Sequence, residues 1–250
     1  MDLHIGILET GYVTEELVAT HGSYPQMFEK LFAGLATEAK LSLRLATYDV
    51  QLRVPTEIEC DAYVITGSRH SVYDDLPWIG QLADFVSDVL ADGRRVVGVC
   101  FGHQLLAHFF GGRVAAAPQG WAVGIHHHEV LAEQPWMTQP AAAGTHIGLI
   151  SSHKDQVLAL PEGASVWLGN DFCPVGGFVM DNVVTVQGHP EFKQGYARAL
   201  LEKRRGLVGE QAFQQGMSTL SSSTEDPQDT DAQAFGRWLL QFLAFGNTPC

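Results

Sequence analysis

The spacing of apolar and polar residues changes several times along the chain, and each change marks an element. Residues 3–8 form a short apolar run followed by glycine, Glu and Thr, which predicts a buried strand. Ser23-Tyr24-Pro25 then offers an N-cap beside a proline suited to a first helical turn. Met27, Phe28, Leu31, Phe32 and Leu35 recur at helical spacing and predict a helix over about 25–37. Residues 41–48 alternate apolar with polar and read as a second strand, and 62–66 as a third that ends at Gly67. A helix over about 77–90 stops at Asp92-Gly93. Residues 95–99 form a fourth strand running directly into Cys100, and a helix over 102–110 closes at Gly111-Gly112.

Residues 113–186 change character. Short β-rich runs at 124–131, 147–150, 164–168, 176–179 and 183–186 are separated by Gly, Pro and Asp turns, which predicts an antiparallel portion beside the sheet. Helix returns from Tyr196. The polar, acidic stretch 221–231 reads as a surface loop before a last helix over 232–245. Strands alternating with helices predict an α/β fold: a mostly parallel sheet with helices on both faces, plus a small antiparallel portion. No repeat or sharp linker divides the chain. We expect one domain over residues 1–250, with a helical extension from about 195.

Composition narrows the function. A hydrophobic share of 46% and a charged share of 17% are those of a globular chain. A formal net charge of −13 argues against nucleic acid as a partner, because that affinity rests on Lys and Arg. No apolar run reaches the roughly 18 residues of a membrane span, and the first residues do not read as a signal peptide. The expectation is a cytoplasmic protein without membrane partners. Cys60, Cys100, Cys173 and Cys250 show no paired spacing and read as separate thiols. No phosphate-cradling glycine motif is present, so no cofactor is expected.

Two segments carry chemistry. Residues 98–104 (GVCFGHQ) place Cys100 between glycines where a strand gives way to a helix. Such a turn lifts a nucleophile above the sheet edge, and the helix N-terminus favours its thiolate. The N–H that follows, on Phe101, can donate to an oxyanion. Residues 188–192 (GHPEF) follow a strand and supply His189 as a general base, with Glu191 as its orienting acceptor.

With both segments in place, the sequence resembles the class I, triad-type glutamine amidotransferases. Ile65-Thr66-Gly67-Ser68 lies where that family places its oxyanion loop. The segment 151–157 (SSHKDQV), followed by Leu160-Pro161-Glu162-Gly163, is similar to its substrate segment. The resemblance covers most of residues 3–192. It implies a flavodoxin-like fold and cleavage of a γ-glutamyl amide through a thioester on Cys100. It also implies oxyanion donors at Gly67 and Phe101. Contacts to the glutamyl α-amino and α-carboxylate groups would come from Gln104, Ser152, His153, Lys154 and Asp155. The implied partner is a small-molecule γ-glutamyl substrate. Three readings stay open: glutamine hydrolysis, a free-standing γ-glutamyl peptidase that does not use glutamine, and a latent or non-catalytic subunit of a separate synthase or acceptor protein. The chain departs from the family at Gly67-Ser68-Arg69-His70, where many members carry Gly-Gly-Pro or Gly-Pro-Gly. It departs again at Gly188, where an aromatic residue is common.

Other signals weigh less. His126-His127-His128 resembles a metal cluster, but successive strand residues point to opposite faces, so no metal site is expected. His103 is expected to pack behind the elbow. Trp78 and Trp121 are candidates for the mouth of the site.

Overall fold

The computed structural model describes residues 1–137, 143–220 and 230–247. The chain runs β1 (Asp2–Glu9), α1 (Glu15–His21), α2 (Tyr24–Glu38), β2 (Ser42–Asp49), β3 (Ala62–Ile65), α3 (Pro77–Ala91), β4 (Arg95–Val99) and α4 (Phe101–Phe109). There follow β5 (Arg113–Ala116), β6 (Ala122–Val130), β7 (His146–His153), β8 (Asp155–Ala159), β9 (Ser165–Gly169), β10 (Gly177–Met180) and β11 (Val183–Val186). Three helices end it: α5 (Gln194–Val208), α6 (Glu210–Thr219) and α7 (Thr230–Phe245).

Nine strands form one sheet in the order β2-β1-β3-β4-β11-β10-β9-β6-β7, and β5 pairs with β8 in a small antiparallel sheet. The first five strands are parallel. Their order, with β11 as the fifth, is the flavodoxin-like 2-1-3-4-5. From β11 onward the large sheet is antiparallel.

Alternation along the central strands fills two cores. Ile5, Ile7, Val64, Val97 and Val99 face α2 and α7, where Phe28, Phe32, Phe235 and Trp238 complete one cluster. Leu8, Tyr63, Ile65 and Val96 face α3 and α4, against Phe85, Leu105 and Leu106. Burial on both faces is why β1, β3 and β4 read as nearly continuous apolar runs. The expected cap on α2 is present as a reciprocal pair: Ser23 N–H donates to Gln26 Oε1 at 2.9 Å, and Gln26 N–H to Ser23 Oγ at 3.5 Å.

The structure refines several expectations. The run at 183–186, expected among the antiparallel strands, instead pairs in parallel with β4 as β11 and adds the fifth parallel strand. β5, β8 and α1 were not foreseen. α1 buries none of its residues and so presents no apolar stripe to read. The helical end is split into α5 and α6 at Gly209, whose φ of 85° interrupts the helix. Of the expected loop at 221–231, residues 221–229 lie outside the described residues, and Thr230 and Asp231 belong to α7.

Candidate active site

β3, β4 and β11 are adjacent and parallel, so their C-terminal ends bring three segments together: Gly67, Cys100 and His189. The elbow at Cys100 is strained. Cys100 has φ 52° and ψ −98°, a conformation that L-residues seldom adopt, and it is the N-cap of α4. The flanking glycines are required by contact. A Cβ on Gly98 would lie 2.6 Å from the Gly102 carbonyl oxygen, and one on Gly102 would lie 2.6 Å from the Ile65 carbonyl oxygen. Cys100 N–H donates to Val186 O at 2.8 Å, tying the elbow to the strand that leads to His189.

His189 is held on three sides. Its N–H donates to Ile150 O at 2.8 Å, and its Nδ1 lies 2.7 Å from Glu191 Oε1. Its ring stacks on Phe192, with centroids 3.9 Å apart and planes 6° apart. Nδ1 facing Glu191 leaves Nε2 for Cys100. Both members of the His189–Glu191 pair are buried. Burial pulls the His189 pKa down, but the charges of Glu191 and Cys100 and hydrogen bonds to both outweigh it and push it up to about 10.

Gly67 closes the third side. A Cβ there would come within 2.8 Å of His189 Cε1, so only glycine lets this loop lie against the His189 ring. The single Thr10 hydroxyl proton is shared between the carbonyl oxygens of Thr66 at 2.9 Å and Gly67 at 3.1 Å, fixing the loop. Neither the Gly67 nor the Phe101 N–H donates to another backbone group among the described residues.

Cys100 opens into a cavity of about 520 Å³, which Gln104, Ser152, His153, Lys154 and Asp155 also line. The five residues implied by the resemblance therefore share one cavity with the cysteine. Gln104 Nε2 donates to Asp155 O at 2.8 Å and Gln187 Oε1 at 3.0 Å, which leaves its own carbonyl oxygen to accept from a ligand. The Asp155 carboxylate accepts from Ser71 Oγ at 2.5 Å and Tyr73 OH at 2.9 Å, tying the segment after β3 to β8. His153 is buried, with Nδ1 3.2 Å from Asp155 O, and burial lowers its pKa to about 3. It shapes the wall as a neutral ring. Trp121 lines the cavity, whereas Trp78 packs on Phe101 and His70. Sequence reading missed Tyr12, Thr14, Tyr24, Tyr196 and Arg204, which line the cavity from the β1–α1 connection, α2 and α5. Their segments carry no motif that would have singled them out.

The residues set aside behave as expected from their surroundings. His103 lies behind the elbow, 2.8 Å from Thr185 Oγ1 and against Phe178, and burial lowers its pKa to about 3. On β6, His127 is exposed and His128 buried, as alternation requires. Cys60 and Cys173 are buried, and burial raises both thiol pKa values, that of Cys173 to about 12. Cys250 lies outside the described residues.

Known proteins resemble this chain in sequence and fold. γ-Glutamyl peptidase 4 of Arabidopsis thaliana is 27% identical over 228 residues, covering 90% of this chain and 88% of that one. A glutamine-hydrolysing GMP synthase of Thermomicrobium roseum is 31% identical over 168 residues, 67% of this chain and 30% of that one. The crystal structure of a glutamine amidotransferase from Thermotoga maritima superposes with a TM-score of 0.69 at 17% identity, over 96% of this chain and 98% of that one. Residues 23–205 match the family described as glutamine amidotransferase class-I, and the chain belongs to that family.

Proposed function

We propose that this protein hydrolyses γ-glutamyl amides through a thioester on Cys100. The observation that carries the reading is the buried His189 ring, fixed 2.7 Å from Glu191 and beside the strained elbow of Cys100. Cys100 Sγ attacks the γ-carbonyl carbon, and its proton resides on His189 Nε2. The carbonyl becomes an oxyanion, to which the unspent N–H groups of Gly67 and Phe101 donate. Collapse breaks the C–N bond, and the departing ammonia or amine takes the proton from His189. Water then attacks the thioester, giving its proton to His189, and breakage of the C–S bond releases glutamate and returns the proton to the cysteine–histidine pair. Glu191 keeps the ring oriented and compensates its positive charge in both halves. The sequence needs no cofactor.

The glutamyl end is bound by the cavity residues. The Gln104 carbonyl oxygen accepts from the α-ammonium group. Lys154, between β7 and β8, would donate to the α-carboxylate. The peptidase relative, matched over nearly its whole length, favours a free-standing hydrolase of γ-glutamyl peptides. The GMP synthase match supports a second reading, in which ammonia passes to a separate synthase or acceptor protein. Release of glutamate from glutamine and a panel of γ-glutamyl peptides, with Cys100→Ala in parallel, separates the two. Fast Cys100-dependent release from a peptide supports the hydrolase. Release only when a synthase is added supports the second.

A further inference from the structure

The cavity is cationic in a chain that is otherwise strongly acidic. Arg69, Lys154, Lys203 and Arg204 line it, and Asp155 is its only carboxylate among the described residues. That carboxylate already accepts two hydroxyl donors. The chain as a whole has 15 basic and 28 acidic side chains, so this local excess runs against its composition. Asp155 and the Glu16 partner of Lys203 offset two of these four cations, and the α-ammonium and α-carboxylate of a glutamyl group cancel each other. The remaining charge asks for a second anionic group on the ligand.

The run Lys203-Arg204-Arg205 on α5 shows which cation is free to meet it. Lys203 pairs with Glu16 at 3.1 Å, and Arg205 forms a fork with Glu210 at 2.7 and 2.8 Å. Arg204, half-buried between them, has no carboxylate partner among the described residues. Its Nη1 instead donates to the hydroxyl of Ser152 at 2.9 Å, which fixes the guanidinium at the cavity wall with donors to spare.

The wall beside Arg204 is continuous with the His189 side of the site. Phe192, stacked on His189, packs against Tyr24 and Tyr196 with centroids 5.7 and 4.7 Å away, and those two tyrosines line the cavity with Arg204. Tyr196 OH donates to Tyr24 OH at 3.2 Å. Since His189 delivers the proton to the leaving amine, that amine departs along this wall. The glutamyl α-groups are assigned instead to Gln104 on α4 and to Lys154 before β8.

We infer that Arg204 is a specificity residue that binds a carboxylate on the leaving group, so the preferred substrates are γ-glutamyl amides of amino acids or peptides with a free acid. This deepens the hydrolase reading and rests on it for the direction in which the amine leaves. A planar guanidinium can take a carboxylate through two parallel hydrogen bonds, a geometry that ammonia from glutamine or a neutral amine cannot use.

The test compares γ-glutamyl-glycine with γ-glutamyl-glycinamide, which differ only in that carboxylate. In the wild type, kcat/KM for the acid is expected to exceed that for the amide by about ten- to a hundredfold, the range of a charge-assisted hydrogen bond. Arg204→Gln brings the ratio near one, and Arg204→Lys restores part of it. Equal kcat/KM values in the wild type overturn the inference. So does an Arg204→Gln variant in which both substrates weaken together at an unchanged ratio, because the guanidinium would then hold the glutamyl α-carboxylate. Calorimetric binding of the same pair to Cys100→Ala reads the subsite without turnover. Tighter binding of the acid, lost in Cys100→Ala/Arg204→Gln, supports the subsite even if the wild type cleaves neither compound, a result that would sink only the hydrolase reading. Equal binding of acid and amide would overturn the subsite.

Discussion

Cys100 keeps a backbone conformation that costs on the order of 1–3 kcal/mol, and the surrounding contacts hold it there. Its replacement by alanine leaves the elbow contacts in place, so Cys100→Ala should fold normally and lose turnover by at least about 10³-fold. Glutamate release and a thermal melt on the same sample check both halves. Glu191→Gln should also lower kcat, by roughly 10²–10⁴-fold, because the ring loses its compensating charge and its fixed orientation. Gly102→Ala is different in kind. Its Cβ would meet the Ile65 backbone, which cannot swing aside, so we expect a loss of roughly 1–3 kcal/mol in urea unfolding together with weaker turnover. At this scale the sequence was informative. The two glycines, Cys100, His189 and Glu191 were legible because a strained strand-to-helix turn and a short His-x-Glu segment leave local traces. Arg204 was not legible. Within a Lys-Arg-Arg run it reads as a solvated face, and only the pairing of its neighbours with Glu16 and Glu210 singles it out.

At the scale of elements, the antiparallel half is anchored by aromatic packing under α7. Trp167 on β9 is fully buried, 5.2 Å from Trp136 and 5.4 Å from Phe235, and its indole N–H donates to Thr185 O at 3.1 Å. Trp167→Ala removes the packing and the hydrogen bond together. It should destabilise by about 3–5 kcal/mol, measured as a lower denaturant midpoint. Thr185 lies on β11, which leads to His189, so the same change should loosen the base. β1, β3 and β4 were readable from burial on both faces, β2 from its alternation, and α2, α3 and α4 from helical spacing, an N-cap at Ser23 and the stop at Asp92-Gly93, all of which act within a few residues of sequence. The pairing of β11 with β4 was not, since a short apolar strand looks the same whether its neighbour runs parallel or antiparallel. β5 and β8 were missed for a related reason. Each is four or five residues long and gains its identity only from the other, about 40 residues away.

For the whole molecule, buried histidines set a window of pH. Burial lowers His103 and His153 to about 3 and His128 to about 4. Unfolded, each titrates near 6.5, so between these values the unfolded chain binds more protons and stability falls as pH falls. His189 has the opposite sign. Its raised pKa contributes stability that is full below about 6.5 and is lost as pH rises toward about 10. The urea midpoint should therefore be highest near neutrality, dropping from about pH 6.5 toward 4 and again toward 10. A midpoint that rises steadily on acidification would contradict this balance.

The most direct test of the account is to trap the acyl-enzyme. Glu191→Gln is mixed with γ-glutamyl-p-nitroanilide, quenched in acid and digested, and the peptide containing Cys100 is weighed by mass spectrometry. The account predicts a mass gain of one glutamyl group on Cys100, absent from Cys100→Ala and removed by hydroxylamine. Glutamate release that persists in Cys100→Ala, with no adduct on Cys100, would contradict it.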